Sequence, residues 1–173
     1  MRIMITGKPK SGKTTLVRGI SSHLSNSVGF YTVEIREKGV RVGFKIVDFE
    51  GREELLASKN LPSFLRVGKY GVNLPGLEKV VERIKNRLEE SKEVDWVVID
   101  EVGKMEMMSE KFYKFLLSLK DSSYNLLFTV GLPYRGWINR HFTNSEWWEI
   151  HPGNREEVRK EILQRLGVTN GTK

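Results

Sequence analysis

The chain has 173 residues, 39% of them hydrophobic, which suits a single globular domain. It has no cysteine, which excludes disulfides, thiolate metal sites and cysteine nucleophiles. No apolar run reaches the length of a membrane span, and no signal peptide precedes the first strand, so we expect a cytoplasmic protein without membrane contact. Lys and Arg outnumber Asp and Glu by 29 to 22, giving +7. This favours anionic partners such as nucleotides, and nucleic acid stays open.

Strands and helices alternate along the chain. A strand over residues 2–6 precedes a helix from Lys13 to about Leu24, and residues 30–35 pair with 40–46 as a β-hairpin. Five elements follow: a helix at 77–88, a buried strand at 97–99, a helix capped by Ser109, a buried strand at 126–130 and a strand at 147–150. The last helix is capped by Asn154 and ends before Gly167. Residues 51–76 are predicted to be loop-rich surface. Apolar strands alternating with helices indicate an α/β fold, with a mainly parallel sheet covered on both faces in one domain, residues 1–173.

The stretch GKPKSGKTT follows the first strand and fits the phosphate-loop (Walker A) pattern G-x-x-x-x-G-K-[ST]. Its glycines let successive backbone N–H groups point at phosphate oxygens, and the helix that follows adds its positive dipole end. In this pattern Lys13 reaches the β- and γ-phosphates, and the Thr14 hydroxyl binds Mg²⁺. Lys8 and Lys10 are expected to be solvated. The loop residues predicted to bind nucleotide are Gly7, Lys8, Pro9, Lys10, Ser11, Gly12, Lys13, Thr14 and Thr15.

A second motif, WVVIDEVGKME, places two acids after an apolar strand, in the manner of a Walker B motif. Asp100 is expected to hold Mg²⁺, and Val102 is grouped with the two acids among the nucleotide-binding residues. Strand alternation predicts that Glu101 points the other way, toward an attacking water rather than the metal. Together the two motifs predict a site for Mg²⁺ and a nucleoside triphosphate.

Three classes of function remain open at this point. A broad-specificity nucleoside-triphosphatase needs a group that activates water, which Glu101 supplies. A nucleotide or polynucleotide kinase needs an acceptor pocket instead. The third class is an NTP-dependent module that binds RNA or protein.

The combination of GKPKSGKTT, the strings GFYTVEIRE and VGFKIVDFEG, then VGKYGVN and IDEVGKME resembles the thermophilic and cancer-related nucleoside-triphosphatases. The resemblance covers Met1 to about Val130. It implies a three-layer P-loop NTPase sandwich of the additional-strand (RecA-like) type. It also implies slow, Mg²⁺-dependent hydrolysis of ATP, GTP, CTP and UTP, with Glu101 as catalytic base. We expect a monomer.

Two further assignments follow from the resemblance. Lys104 and Glu106 belong to the matched string, either as a surface pair or, for Lys104, as a neutralising charge near the γ-phosphate. Pro133-Tyr134-Arg135 matches the family's Pro-x-Arg segment, which implies an arginine finger at Arg135 within the chain.

Aromatic and polar residues near the end of the chain have alternative interpretations. Trp137, Trp147 and Trp148 are expected to be core residues, the alternative being that they stack on a base. Asn154 and Arg155 are expected to begin the last helix, the alternative being that they lie near the base.

Overall fold

The computed structural model describes residues 1–168 and contains nine strands and five α-helices within them. Two short 3₁₀ turns, Glu106–Met108 and Leu132–Tyr134, lie between these elements. In chain order the elements are β1 Arg2–Thr6, α1 Lys13–Ser21, β2 Ser27–Glu37, β3 Val40–Asp48, β4 Glu53–Ser58, β5 Arg66–Val67, β6 Tyr70–Val72, α2 Leu74–Glu90, β7 Trp96–Val102, α3 Glu110–Lys120, β8 Asn125–Val130, α4 Arg135–His141, β9 Glu146–Glu149 and α5 Arg155–Arg165.

All nine strands form one sheet in the order β5-β6-β4-β3-β2-β7-β8-β1-β9. Strands β2, β7, β8, β1 and β9 are parallel, whereas β2 to β6 continue the sheet through antiparallel pairs. Strand β8 lies between β1, which leads into the phosphate loop, and β7, which carries the two acids. This confirms the predicted additional-strand arrangement of a P-loop fold.

The parallel strands are apolar because both faces of the sheet are covered. Met4 of β1 belongs to the core beneath α2 and α3, whereas its neighbours Ile3 and Ile5 belong to the core beneath α1 and α5. All three side chains are fully buried. Burying a side chain of this size contributes about 1.5–3 kcal/mol, so the short strand contributes strongly to stability.

Most predicted helix boundaries are confirmed within a few residues. Helix α1 ends at Ser21, earlier than expected, and Ser109 caps α3 by accepting a 3.0 Å hydrogen bond from the Phe112 amide. Gly167, at φ +80°, ends α5 as predicted. The prediction for Asn154 is only half right. It occupies the cap position of α5, but its side chain accepts from the His151 amide and donates to the Glu149 carbonyl, so it holds the preceding loop.

The prediction of a loop-rich surface at residues 51–76 is wrong. Strands β4, β5 and β6 extend the sheet there, and Leu56 and Ala57 of β4 are buried against α2. These strands are two to six residues long, and their pairing depends on distant partners, so local periodicity carries little signal for them. The seven-residue helix α4 was also not predicted.

Within residues 1–168 no helix combines the length and the apolar character needed to cross a membrane. The predicted domain runs to residue 173, and its last five residues lie outside the described part of the chain.

Candidate active site at the phosphate loop

The loop between β1 and α1 has the backbone of an anion-binding turn. Lys10 at φ +66° and Gly12 at φ +94° adopt left-handed conformations on either side of Ser11. A backbone of this kind turns consecutive N–H groups toward one point, and α1 begins directly after it with its unpaired amides. The loop is therefore shaped for phosphate without any contribution from side chains.

Glycine is required at both fixed positions of the loop. A Cβ on Gly7 would lie 2.6 Å from the Ile150 carbonyl oxygen and 2.7 Å from Oγ of Ser11. A Cβ on Gly12 would collide with the Arg155 guanidinium, and its positive φ disfavours any side chain. The close packing of β9 and α5 against the loop thus fixes its path.

Lys13 lies across the mouth of the loop. Its ammonium donates a 2.8 Å hydrogen bond to the Gly7 carbonyl and is 3.6 Å from Oε2 of Glu101. The Oγ of Ser11 is buried and has no hydrogen-bond partner within the described residues. A buried hydroxyl without a partner costs free energy, and an anion bound in the loop would offer it an acceptor.

Asp100 is buried at the carboxyl end of β7 and accepts hydrogen bonds from three threonines. The donors are Oγ1 of Thr129 at 2.6 Å, Oγ1 of Thr14 at 2.7 Å and the backbone N–H of Thr32 at 3.4 Å. Burial raises the pKa of the Asp100 carboxyl, and the hydrogen bonds from Thr129 and Thr14 oppose that rise. Its carboxylate is consequently held in a fixed orientation.

Asp100 and Glu101 do not point in opposite directions, as simple alternation predicts: both reach the phosphate loop, Asp100 at Thr14 and Glu101 at Lys13. The reason is an irregularity in the strand pairing. Ile99 pairs with Phe128 and Val102 with Val130, so three steps on β7 match two on β8. A bulge of this kind re-aims side chains. Burial raises the pKa of the Glu101 carboxyl and the neighbouring Asp100 adds to the rise, whereas Lys13 opposes it.

Glu106 is a second glutamate near the site and, unlike half-buried Glu101, is buried, with only 5% of its surface exposed. Burial and the nearby charge of Glu101 raise its pKa to about 8, so it is mostly neutral at pH 7. Burial raises the pKa of the Tyr134 phenol, and the charge of Glu106, once ionised, adds to that rise. The interpretation of Lys104 and Glu106 as a surface pair is therefore wrong, since only Lys104 is exposed.

The oxygen atoms at Thr14 and Asp100 fit a hard divalent cation. A hydroxyl and a carboxylate 2.7 Å apart offer two ligands of the type that Mg²⁺ prefers. In residues 1–168 no cluster of three or more His, Cys, Asp or Glu could hold a metal by itself. Phosphate oxygens and water would therefore have to complete the coordination.

The other predicted residues are distributed around this centre. Lys8, Lys10 and Thr15 are exposed, and Val102 is buried in the core. Arg135 forms an exposed ion pair with Glu149 at 3.1 Å.

The three tryptophans are half-buried, in line with the core interpretation. Trp147 and Trp148 pack against the two cores, and Trp137 stacks on His141. Arg155 is the first residue of α5, as expected, and its side chain packs directly on Gly12, a contact between loop and helix that no local pattern indicated.

One open cleft of about 490 Å³ connects the phosphate loop with the β2–β3 hairpin. Its loop end is formed by Pro9, Lys10, Gly12, Lys13, Thr14, Thr15, Arg18 and Glu101. Its hairpin end is formed by Thr32, Val33, Glu34, Arg41 and Phe44. The cleft thus contains the catalytic candidates Lys13 and Glu101, but not Arg135, together with a second wall that the sequence motifs did not indicate.

Comparisons with known proteins agree in both sequence and structure. A family model described as "NTPase" matches residues 2–163. The chain is 40% identical over 175 residues to nucleoside-triphosphatase THEP1 of Thermotoga sp. (strain RQ2), covering 100% of this chain and 99% of the relative. The crystal structure of THEP1 from the hyperthermophile Aquifex aeolicus is similar with a TM-score of 0.83 and 33% identity, covering 96% and 99% of the two chains. The solution structure of a human cancer-related nucleoside triphosphatase is similar with a TM-score of 0.79 and 26% identity, covering 99% and 98%.

Proposed function

Since the chain belongs to this NTPase family, and is a P-loop enzyme related to the THEP1 nucleoside-triphosphatases, we propose that it cleaves ATP, GTP, CTP and UTP with Mg²⁺. The products are the nucleoside diphosphate and phosphate. The observation that carries this proposal is the convergence of Lys13, Thr14 and Glu101 on one end of the cleft, with buried Asp100 hydrogen-bonded to Thr14 directly beneath it.

Thr14 and Asp100 are the residues that would hold the cation. Bound there with the triphosphate, Mg²⁺ supplies charge neutralisation to the phosphate oxygens. The hydrogen bonds that Asp100 accepts from Thr129 and Thr32 keep its carboxylate beside Thr14 before any ligand arrives. This preorganisation lowers the cost of assembling the site.

Glu101 is proposed as the general base for hydrolysis. Its carboxylate takes a proton from the attacking water, whose oxygen forms the new bond to the γ-phosphorus while the bond to the bridging oxygen breaks. Lys13, which lies between the Gly7 carbonyl and Glu101, supplies positive charge to the β- and γ-phosphates. An arginine-finger role for Arg135 requires its guanidinium to leave Glu149.

Broad base tolerance is supported by the type of contact that the loop offers. Backbone N–H groups bind phosphates irrespective of the base, whereas a site built to hydrogen-bond one base discriminates by roughly 10⁴ or more. The assignment of residues 1–173 to one domain, the monomeric state and the cytoplasmic location stay predictions, and a nucleic-acid partner stays open.

Phosphate release from each of the four triphosphates tests the proposal. We expect all four to be cleaved within about two orders of magnitude of one another. Excess chelator should abolish release, and added Mg²⁺ should restore it. Full activity in chelator would refute the cation assignment, and a strict preference for one base would refute broad tolerance.

A further inference from the structure

Phe64 differs from the other phenylalanines of the chain because its ring packs on neither core. The chain has eight phenylalanines, all within the described residues, and the other seven are buried or pack against one of the two cores. The side chain of Phe64 is fully exposed, and its neighbour Leu65 is 40% exposed. Aromatic rings contribute to stability mainly by being buried, so the ring of Phe64 is free to contact a partner.

The loop that presents Phe64 is held by hydrogen bonds on both sides of the ring. Before it, the Oγ of Ser63 donates to the Val72 carbonyl at 3.0 Å and accepts from the Leu65 amide at 3.1 Å. After it, the Leu65 carbonyl accepts from the Val72 amide at 2.8 Å. Because Val72 belongs to β6, the sheet itself fixes the loop and holds the ring in solvent.

The surface around Phe64 carries basic residues and no acid of its own segment. Residues 55–77 contain no Asp or Glu, although the chain has 22 of them, and they include Lys59, Arg66 and Lys69. Within the described part of the chain, none of these three side chains forms an ion pair. The guanidinium of Arg66 donates to two backbone carbonyls of this segment, at 3.4 and 2.8 Å, which leaves further N–H donors for an anion.

The neighbouring tip of the β2–β3 hairpin does not neutralise this surface. Lys59 donates its backbone N–H to the Val42 carbonyl at 2.9 Å, which places it beside the hairpin. Residues 34–41 carry three basic and two acidic side chains, and one of those acids is paired with both Arg36 and Arg41. The hairpin tip therefore adds positive rather than negative net charge.

An exposed aromatic ring among unpaired cations fits a single-stranded nucleic acid. A base stacks on the ring, and the phosphates on either side of that base contact the lysine and arginine side chains. A lipid surface or a protein partner would need a broader apolar area. Among residues 55–77, Leu65 is the one large exposed apolar residue beside Phe64. A duplex keeps its bases inside the stack and offers none of them to the ring.

We propose that Lys59, Phe64, Arg66 and Lys69 form a binding site for single-stranded nucleic acid. The ring of Phe64 stacks on one base, and the three cations contact the neighbouring phosphates. The described lining of the phosphate-loop cleft contains none of these residues. The inference therefore does not depend on the proposed hydrolysis, and its failure would leave that proposal intact.

Binding of labelled oligonucleotides to the full chain, measured by fluorescence anisotropy without nucleotide, is the first test. The probes are an oligouridylate, an oligothymidylate of the same length, and an RNA duplex of that length. We expect at least one single strand to bind more tightly than the duplex, with an affinity that falls as salt rises. The tighter of the two identifies RNA or DNA as the ligand. No binding of either strand at low salt would overturn the proposal. Equal or tighter binding of the duplex would also overturn it, because charge alone favours the duplex.

Two variants at the same position test stacking. Phe64→Leu keeps an apolar side chain without a ring, whereas Phe64→Trp keeps a ring. Both should fold as the wild type does, because the side chain contacts no core. We expect Phe64→Leu to bind the single strand about tenfold more weakly, and Phe64→Trp to bind it within a few-fold of the wild type. Unchanged affinity in Phe64→Leu, or an equal loss in both variants, would overturn the role of the ring.

A charge-matched pair tests the phosphate contacts. Lys69→Gln should make the dependence of log affinity on log salt shallower by about 0.7, the value for one phosphate contact to a single strand. Lys114→Gln removes the same charge from α3, where the lysine is paired with Glu110, and should leave the slope unchanged. Equal slopes in the two variants would place the nucleic acid elsewhere on the surface.

Vesicles of phosphatidylserine test a lipid surface as the competing occupant. We expect wild type and Phe64→Ala to sediment with the vesicles to the same extent. Sedimentation that is lost in Phe64→Ala, together with oligonucleotide binding that this variant keeps, would overturn the proposal and assign the ring to a membrane surface.

Discussion

The hydroxyl of Thr14 donates a 2.7 Å hydrogen bond to the Asp100 carboxylate, across 86 positions of sequence. It joins the first residue after the phosphate-loop lysine to the acid at the end of β7. Strand β8 lies between β1 and β7, and its Thr129 holds the other oxygen of the same carboxylate. Strands β7 and β8 and the first turn of α1 therefore position one carboxylate, so the metal-binding part of the site is assembled where α1 meets the sheet.

Lys13→Ala should remove most of the activity without unfolding the chain. The ammonium is the positive charge nearest the expected γ-phosphate, and loss of one such group typically costs about 10²–10³ in turnover. Phosphate release at saturating Mg²⁺-ATP measures the effect. Lys114→Ala is the matched control, because Lys114 lies exposed on α3 and pairs with Glu110. A folded Lys13→Ala protein with wild-type turnover would mean that the triphosphate binds elsewhere.

Gly7→Ala should lower both stability and nucleotide binding. The new Cβ would lie 2.6 Å from a backbone oxygen, that of Ile150, which cannot move without shifting β9. Gly136→Ala is the control, since its Cβ meets only the end of the Arg140 side chain at 3.5 Å within helix α4. We expect a lower melting temperature for the first variant and an unchanged or slightly higher one for the second. Equal melting temperatures would show that the loop is not tightly packed.

The raised pKa of Glu106 predicts that the protein becomes less stable as the pH rises. Its pKa of about 8 in the folded chain exceeds the ordinary value of 4.5, so the folded state retains a proton that the unfolded state has released. The contribution of Glu106 to the free energy of unfolding is therefore fully present below about pH 4.5. It is lost as the pH rises through 8, by up to about 1.4 kcal/mol per pH unit. Asp100 and Glu101, whose pKa values are also raised, add to this slope.

Urea unfolding between pH 5 and pH 9 measures this slope. Glu106→Gln should show a shallower decrease than the wild type, so its stability relative to the wild type should rise between pH 5 and pH 8 and then stay constant. The same substitution at exposed Glu110 should leave the slope unchanged. Parallel curves for the wild type and Glu106→Gln would contradict the raised pKa.

Asp100→Asn should weaken the hold on the cation. Removing the charge of one of two protein ligands raises the Mg²⁺ concentration needed for half-maximal activity, and higher Mg²⁺ should recover part of the turnover. Titration of activity with Mg²⁺ at fixed ATP checks this. An unchanged Mg²⁺ requirement would place the cation away from Asp100.

Much of the fold could be predicted because its signals are local. The apolar runs of β1, β7 and β8 indicate strands that are buried on both faces of the sheet. The spacing of glycines and Lys13 in the phosphate loop indicates an anion-binding turn. The extension of the sheet by β4 to β6 could not be predicted in this way. Its strands are short, and buried Leu56 becomes a core residue only because α2 packs over it.

The residues of the candidate site show the same difference between local signals and long-range packing. Lys13, Thr14 and Asp100 follow from motif spacing, and the structure brings them together. The direction of Glu101 depends on a bulge between two strands, which alternation within one strand does not report. The contact of Arg155 with Gly12 and the burial of Glu106 depend on how α5 and the turn after β7 pack, and neither leaves a local pattern.

The assignment of Glu101 as general base carries the mechanism, and Glu101→Gln tests it most directly. Phosphate release and Mg²⁺-ATP binding are measured on the same protein. The account predicts binding within a few-fold of the wild type and turnover lower by about 10²–10⁴, because glutamine keeps the shape of the side chain but cannot accept the proton. Near-normal turnover in this variant, or recovery of turnover on adding Mg²⁺, would contradict the account.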